Sequence, residues 1–244
     1  MISDELPELS RVEAITFDFY NTLIFEREGR GRGRLLVEYL QTHGLRPVPW
    51  EHRFLHDVFD GHDTEYSPEA PQDQREAYYA LLAQRVFERL EVPASHEAVS
   101  QHASSIWQIL GPACFDVFPD ALGALQTLRA EGYPLAVISN WECGLRHFCT
   151  ALGLSEYFEH ILGSADLGVA KPDERIFADA CSRLGVPADR VLHVGDTLTD
   201  DYFGGEASGL LVALLDRNPG VEYRAARVIH TLDELPAMLR HRPG

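Results

Sequence analysis

Cysteine is scarce in this sequence, which has four among its 244 residues: Cys114, Cys143, Cys149 and Cys181. None of them belongs to a Cys-x-x-Cys pair, and a disulfide-stapled scaffold needs a denser framework than this. We therefore interpret the cysteines as reduced thiols of a cytoplasmic protein, where they pack as small apolar side chains.

Long apolar runs are also lacking, since none approaches the roughly 18 residues that a membrane span requires. The first seven residues are acidic, whereas a secretory signal begins with basic residues. The sequence therefore predicts a soluble protein that is not exported and has no membrane partner.

Positive charge is outweighed, because 21 Lys and Arg stand against 38 Asp and Glu and leave a formal net charge of −17. Such a charge repels nucleic-acid backbones and anionic lipids over about a Debye length. Nucleic acid is therefore not an expected partner. A small anionic substrate is compatible with this charge only if a local cation or a bound metal reverses the field where it binds.

The apolar residues that are present, 45% of the chain, are grouped into short runs that alternate with helical patterns. Strand-like runs cover 12–17, 135–138, 191–194 and 210–215, and helix-like patterns cover 121–130, 145–152, 174–184 and 232–240. Strand and helix in alternation are typical of a parallel sheet with helices on both faces. The sequence therefore predicts an α/β fold.

The stretch between residues 26 and 118 breaks this alternation. It contains only helix-like segments, at 35–42, 51–59, 74–90 and 97–110. We predict a core made of residues 1–25 and 119–244, with a helical cap of residues 26–118 inserted after the first strand. The glycines near its start, Gly29, Gly31 and Gly33, form either a flexible entry to the cap or a solvated linker.

Polar residues follow several of the predicted strands or lie in the loops near them. They are Asp18, Ser139, Asn140, Lys171, Asp196, Asp200 and Asp201. Singly, each has an ordinary explanation as a turn or helix cap or as a surface charge. Together, they would bring several carboxylates to the sheet edge where α/β proteins bind ligands, and a cation is needed to offset the repulsion. Mg²⁺ fits such a site because it prefers carboxylate, water and phosphate oxygens.

A carboxylate beside such a metal can act as a nucleophile and form a covalent aspartyl intermediate, and Asp18 suits this role. Lys171 would shield the charge between nucleophile and substrate, and the Ser139 hydroxyl would hold the transferring anion. Pro172 suits the first position of a helix, which would place Lys171 at the positive end of the helix over 174–184.

Four segments resemble the ordered motifs of the haloacid dehalogenase-like hydrolases. They are Asp18-Phe19-Tyr20-Asn21-Thr22-Leu23, Ile138-Ser139-Asn140, Lys171-Pro172 and Gly195-Asp196-Thr197-Leu198-Thr199-Asp200-Asp201. The resemblance covers nearly the whole chain and implies a Rossmann-like core with a helical cap. It also implies catalysis by Asp18, Tyr20, Ser139 and Lys171, with substrate contacts from Ser139, Asn140 and Lys171. It further implies Mg²⁺ bound by Asp18, Asp196, the Tyr20 carbonyl and either Asp200 or Asp201, of which we take Asp201.

Tyr20 departs from the phosphatases of that family, most of which have a general acid and base aspartate at this position. A phenol with a pKa of about 10 donates a proton but is a poor base near neutrality. Tyrosine here resembles the metal-independent 2-haloacid dehalogenases, which generally lack an acid at the position of Asp196. We favour a Mg²⁺-dependent phosphatase over this dehalogenase alternative, and a catalytically weak binding protein is the third hypothesis.

Specificity is expected to come from the cap. Four of its arginines, Arg27, Arg30, Arg32 and Arg34, either meet an anionic substrate or form a solvated face. Aromatic residues of the cap are expected to be core, namely Trp50, Tyr78, Tyr79 and Trp107, as is His193 of the predicted strand. The expected partner is a small anionic substrate, and a monomer and a homodimer are both compatible with the sequence.

Overall fold

The computed structural model describes residues 7–27, 31–45, 72–93, 95–141, 144–218 and 227–240. The predicted helix over 51–59 lies outside these ranges, as do Gly29, Arg30 and Trp50. Within the described ranges, no helix combines the length and the apolar character needed to cross a lipid bilayer.

The strands of the described chain form one large and one small sheet. They are Ala14–Phe17 (β1), Ile24–Glu26 (β2), Phe115–Val117 (β3), Leu135–Ser139 (β4), His160–Gly163 (β5), Val191–Gly195 (β6), Leu211–Leu215 (β7) and Val228–Ile229 (β8). Six of them form a parallel sheet in the order β5-β4-β1-β6-β7-β8. The predicted α/β fold with a parallel sheet is therefore confirmed, and β5 and β8 are additions to the predicted strands.

The α-helices of the described residues lie partly against this sheet and partly in the stretch between β2 and β3. They are Arg32–Thr42 (α1), Gln72–Arg89 (α2), His96–Leu110 (α3), Pro119–Ala130 (α4), Leu145–Ala151 (α5), Ser164–Leu167 (α6), Glu174–Leu184 (α7), Gly204–Ala207 (α8) and Glu234–Arg240 (α9). The predicted bounds of α7 agree with the structure. Its ends follow from local chemistry, because Asp173 caps the first turn and Gly185 takes a left-handed conformation with a φ of 67° after the last.

Residues of β1 alternate between two apolar clusters, one on each face of the sheet. Ile15 and Phe17 belong to the larger cluster, and Ala14 belongs to the smaller one together with Ile176 and Phe177 of α7. Successive strand residues point to opposite faces. Because helices cover both faces, every residue of the strand is buried, and this explains why the predicted strands are mainly apolar runs.

The small sheet pairs the two ends of the helical stretch. Strands β2 and β3 are antiparallel, with Ile24 opposite Val117 and Glu26 opposite Phe115. Beside them, Arg27 donates two hydrogen bonds to the Asp116 carboxylate. The sequence predicted no strand here, because three residues are too short to show a period of two and the pairing partner is distant in the chain.

Aromatic packing joins helix α3 to both its neighbour and the sheet domain. Trp107 is buried and stacks on Tyr79 of α2, with ring centroids 4.9 Å apart. It also contacts Phe148 and His147 of α5, at centroid distances of 6.3 and 6.4 Å. Trp107 therefore lies in the apolar core, as predicted, and Tyr79 packs against that core.

Candidate active site

The carboxyl ends of neighbouring strands bring several of the singled-out residues together. Asp18 follows β1, Ser139 ends β4, and β1 and β4 are adjacent in the sheet. As a result, the Ser139 hydroxyl donates to Asp18 Oδ1 at 3.0 Å although 121 residues separate them. Lys171, from the loop before α7, donates to the same Oδ1 atom at 2.6 Å.

Lys171 is the buried cation of this site. Its side chain is 2% exposed, and its Nζ also lies 2.5 Å from Asp201 Oδ1. Burial alone would lower the pKa of Lys171, but the Asp18 and Asp201 carboxylates outweigh it and hold this pKa above its ordinary value. The ammonium therefore stays charged between two carboxylates.

Helix α7 does not include Pro172 in its first turn, so that prediction was wrong. The helix begins at Glu174, and the Asp173 carboxylate accepts a hydrogen bond from Arg175 N at 3.0 Å. Asp173 therefore occupies the cap position and leaves Pro172 outside the helix. Lys171 is held by its two carboxylates and by Asn140, rather than by a position at the end of α7.

Asn140 fixes the backbone of Lys171. Its side-chain oxygen accepts from Lys171 N at 2.7 Å, and its Nδ2 donates to Lys171 O at 2.9 Å. The same Nδ2 lies 3.3 Å from Asp200 Oδ2. Asn140, predicted to contact substrate, thus uses its amide within the protein to hold the lysine loop.

Asp201 is enclosed by hydrogen-bond donors. Oδ1 accepts from Lys171 and lies 3.1 Å from His193 Nε2, and Oδ2 accepts from Thr197 N at 2.9 Å and from Thr197 Oγ1 at 2.6 Å. Burial would raise the pKa of Asp201, but Lys171 and His193 hold it well below its usual range. Asp201 is therefore an ionised carboxylate whose two oxygens both have protein partners.

The sequence analysis missed two contacts of Asp201. His193 is buried in β6, as predicted for a core residue, yet it links Thr16, whose Oγ1 is 2.9 Å from Nδ1, to Asp201. Thr197 lies inside the quoted Gly-Asp-Thr segment and caps the turn that carries Asp201. A threonine directly before a helical turn is a capping signal that could have identified it.

A π-helical turn, Leu198–Phe203, decides which of two adjacent aspartates faces inward. Asp201 is buried and Asp200 is partly exposed. Gly195 makes room for this packing, because a Cβ at that position would lie 2.2 Å from Asp201 Cγ. The close approach of strand β6 and Asp201 thus requires glycine.

Carboxylates crowd around Asp18. Ligand atoms of Asp18, Asp196 and Asp201 all lie within 4.8 Å of one another. Burial and the neighbouring charges of Asp18 and Asp201 raise the pKa of Asp196 to about 7. Burial and Asp201 also raise the pKa of Asp18, against the opposing effect of Lys171. Three hard oxygen donors that repel one another fit the preferences of Mg²⁺, whose charge would offset the repulsion.

Tyr20 lies beside this cluster with its side chain partly open to solvent. The residue is 37% exposed, and its ring contacts Phe115 and Trp141 at centroid distances of 6.2 and 6.5 Å. Burial and the Glu26 carboxylate raise its pKa. The phenol is therefore protonated near neutral pH and can donate a hydrogen bond.

The arginines of the helical stretch have different surroundings. Arg34 forms an exposed ion pair with Glu38 at 2.9 Å, which fits a solvated face. Arg32 is instead 8% exposed, bonds to Glu26 at 3.2 Å and lies over the Phe115 ring at 4.9 Å. Arg32 is thus a cation packed over the Phe115 ring, which also contacts the Tyr20 ring, rather than part of a solvated surface.

Curated relatives carry hydrolase and phosphatase names. The sequence is 38% identical over 135 residues to haloacid dehalogenase-like hydrolase domain-containing protein 3 of Danio rerio, a match that covers 54% of this chain and 56% of that protein. It is 27% identical over 209 residues to the 5-amino-6-(5-phospho-D-ribitylamino)uracil phosphatase YigB of Escherichia coli, covering 83% and 82%. The chain spans about half the length of the first of these relatives.

A solved structure and a family model agree with these matches. The fold superposes on a 2-haloacid dehalogenase from Pseudomonas syringae with a TM-score of 0.69 and 26% identity, over 93% of this chain and 98% of that one. The family model of the haloacid dehalogenase-like hydrolases matches residues 12–209. Because this match covers most of the chain and all four motifs, the protein belongs to the haloacid dehalogenase-like hydrolases.

Proposed function

We propose that this hydrolase is a Mg²⁺-dependent phosphatase of small phosphorylated substrates that works through an aspartyl-phosphate. The observation that carries this proposal is the position of Asp196, whose carboxylate shares a 4.8 Å cluster with Asp18 and Asp201. A metal-independent reaction would gain nothing from a second carboxylate whose negative charge repels that of the nucleophile. The phosphatase name of the Escherichia coli relative supports the same reaction class.

The ion would be held by Asp18, Asp196 and the Tyr20 carbonyl. Asp201 was included in the predicted ligand set, but its two oxygens accept from Lys171, His193 and Thr197. These bonds favour a role for Asp201 in orienting Lys171 and adding negative charge near the ion. When bound, Mg²⁺ would neutralise charge on the phosphoryl oxygens.

Asp18 is the proposed nucleophile. One of its oxygens forms a bond to phosphorus while the ester P–O bond breaks, and the alcohol oxygen leaves with the bonding electrons and takes up a proton. Water then attacks the acyl phosphate, which releases inorganic phosphate and restores the carboxylate. Lys171 and the Ser139 hydroxyl hold Asp18 in place and would stabilise the phosphoryl oxygens.

Tyr20 restricts the substrates that this site turns over quickly. A neutral phenol can donate a hydrogen bond to the leaving oxygen, but it cannot serve as the base for the water that opens the acyl phosphate. We therefore propose that aryl phosphates and other esters with acidic leaving groups are favoured over alkyl phosphates.

The dehalogenase alternative has two supporting observations, namely Tyr20 and the similarity to a 2-haloacid dehalogenase structure. In that reaction, Asp18 would attack carbon and halide would leave without a proton. Asp196 opposes it, because a carboxylate beside the nucleophile weakens an attack that no cation supports.

Hydrolysis of 4-nitrophenyl phosphate by the purified protein, with Mg²⁺ and with chelator, tests the proposal. We expect turnover with Mg²⁺ and its loss in chelator, and loss in the Asp196→Asn variant as well. Halide release from 2-chloropropionate in chelator would instead favour the dehalogenase. Binding of a phosphate ester without turnover of either compound would favour the third hypothesis, a catalytically weak binding protein.

A further inference from the structure

Arg217 lies two residues after β7 and forms a bidentate pair with Asp120. Nη1 donates to Asp120 Oδ2 at 2.9 Å, and Nη2 donates to Oδ1 at 3.1 Å. The side chains of Arg217 and Asp120 are 18% and 11% exposed. A planar guanidinium bound at both oxygens has a fixed orientation, which a surface ion pair lacks.

The remaining donors of this guanidinium face the turn that follows the nucleophile strand. Nε donates to the Asn21 carbonyl at 3.2 Å, and Nη2 donates to the Thr22 carbonyl at 2.8 Å. These carbonyls come immediately after Tyr20, so one side chain holds two consecutive peptide units next to it.

The turn itself has an unusual backbone conformation. Asn21 has a φ of 59°, in the left-handed region that asparagine tolerates better than most residues. Its N–H donates to Ile24 O at 2.8 Å. The Thr22 hydroxyl is buried and has no hydrogen-bond partner among the described residues, so it does not hold the turn.

Arg217 and Asp120 together form an anchor for the turn, and further hydrogen bonds fix the Asp120 carboxylate. Its Oδ2 also accepts from Thr231 Oγ1 and Leu232 N, each at 2.8 Å. The Arg217 guanidinium lies 3.6 Å from the centroid of the Phe118 ring, which fixes its plane from one face. The turn after β1 is therefore tied to the start of α4 and to the segment before α9.

We infer that Arg217 is a positioning residue for the candidate metal site. By holding the Asn21 and Thr22 carbonyls, it keeps the turn in the conformation in which the Tyr20 carbonyl would bind the ion. Arg217 is not expected to contact substrate. This inference rests on the proposed function, because it assigns the anchor a role in Mg²⁺ binding.

Calorimetric titration of Mg²⁺ into the full-length protein tests the inference without relying on activity. Arg217→Met removes all the donors and keeps part of the apolar stem, and Arg217→Lys keeps a charge but cannot span Asp120 and both carbonyls. Arg190→Met is the matched control, because Arg190 forms only a half-exposed pair with Glu13 at 2.7 Å.

We expect Arg217→Met to weaken Mg²⁺ binding by about 10-fold to 100-fold, as is typical for residues that orient metal ligands. We expect Arg217→Lys to fall between it and the wild type. The Mg²⁺ concentration for half-maximal turnover should rise in parallel, while the KM for the ester stays close to that of the wild type. Arg190→Met should bind Mg²⁺ as the wild type does.

Folded Arg217 variants that bind Mg²⁺ with wild-type affinity would overturn the inference, and so would an equal loss in Arg190→Met. If Arg217→Met does not fold, Arg217→Lys and Asp120→Asn decide by the same titration. Failure of the proposed function has a different signature, because the wild-type protein itself would then neither bind Mg²⁺ nor hydrolyse the ester.

Discussion

The ammonium of Lys171 lies 2.6 Å from Asp18 Oδ1, and both side chains are almost fully buried. The same ammonium reaches Asp201, so one cation serves two carboxylates from different strand ends. Such an arrangement is costly to disturb, because removing the cation leaves buried negative charge without compensation.

Replacement of this cation should therefore reduce stability as well as activity. For Lys171→Met we expect the free energy of unfolding to fall by about 3–5 kcal/mol in urea titrations, as for other broken buried pairs. Arg183→Met is the control, since Arg183 pairs with Asp179 on an exposed helix face. There we expect a change of at most about 0.5 kcal/mol. Equal effects in the two variants would contradict the prediction.

Asp196 should destabilise the metal-free protein at high pH. Its pKa rises from 3.8 to about 7 on folding, so its favourable contribution is fully present below pH 4 and is lost as the pH rises through 7. In chelator at pH 8, Asp196→Asn should be more stable than the wild type by on the order of 2–4 kcal/mol.

The difference between Asp196→Asn and the wild type should shrink toward pH 5, which thermal unfolding across the pH range would measure. Added Mg²⁺ should stabilise the wild type and not the variant. The exposed Asp189→Asn change is the control. A stability difference that does not vary with pH would count against this account of Asp196.

Under the proposed mechanism, Tyr20→Asp should supply a general acid and base beside Asp18. We expect turnover of an alkyl phosphate to rise by about 10²-fold to 10⁴-fold, with a smaller gain for an aryl phosphate whose leaving group needs no proton. Tyr20→Phe, which keeps the ring and removes the hydroxyl, should give no gain. An aspartate variant that is folded but no faster than the wild type would show that Tyr20 does not limit the reaction.

Gly195 should tolerate no side chain. A Cβ there would lie 2.2 Å from Asp201 Cγ, and such overpacking costs about 1–3 kcal/mol or more. We expect Gly195→Ala to lose both stability and turnover because Asp201 is displaced. Gly123 lies on helix α4, and the atom nearest to a Cβ added there is Asp233 Oδ1 at 4.0 Å. For Gly123→Ala we therefore expect a gain of about 0.5–1 kcal/mol. A stable, active Gly195→Ala protein would refute the packing argument.

Much of the sheet and of the cluster at its edge could be predicted from the sequence. An apolar run that ends in an acid indicates both a buried strand and the edge where its side chain emerges, as for Asp18 and Asp196. Because parallel strands end at the same edge of the sheet, it was not necessary to know the order of the strands within the sheet to predict that these residues lie together.

Other features depend on geometry that no short pattern contains. The choice between Asp200 and Asp201 depends on the rotation of a π-helical turn, and both residues look alike in the sequence. The contact of His193 with Asp201 exists because the π-helical turn folds back and packs Asp201 against β6. The anchor formed by Asp120 and Arg217 joins residues 97 positions apart, so neither residue has a local signal.

The pairing of Glu26 with Phe115 means that the chain leaves the sheet domain and re-enters it at neighbouring points. The residues between Glu26 and Phe115 are therefore a single insertion between two paired strands. Helices in this insertion can be lengthened, exchanged or replaced without altering the order of the strands that precede Asp18 and Asp196 or the loop that carries Lys171. Under the proposed function, substrate selectivity can therefore change in the inserted segment while Asp18, Lys171 and Asp196 keep their arrangement.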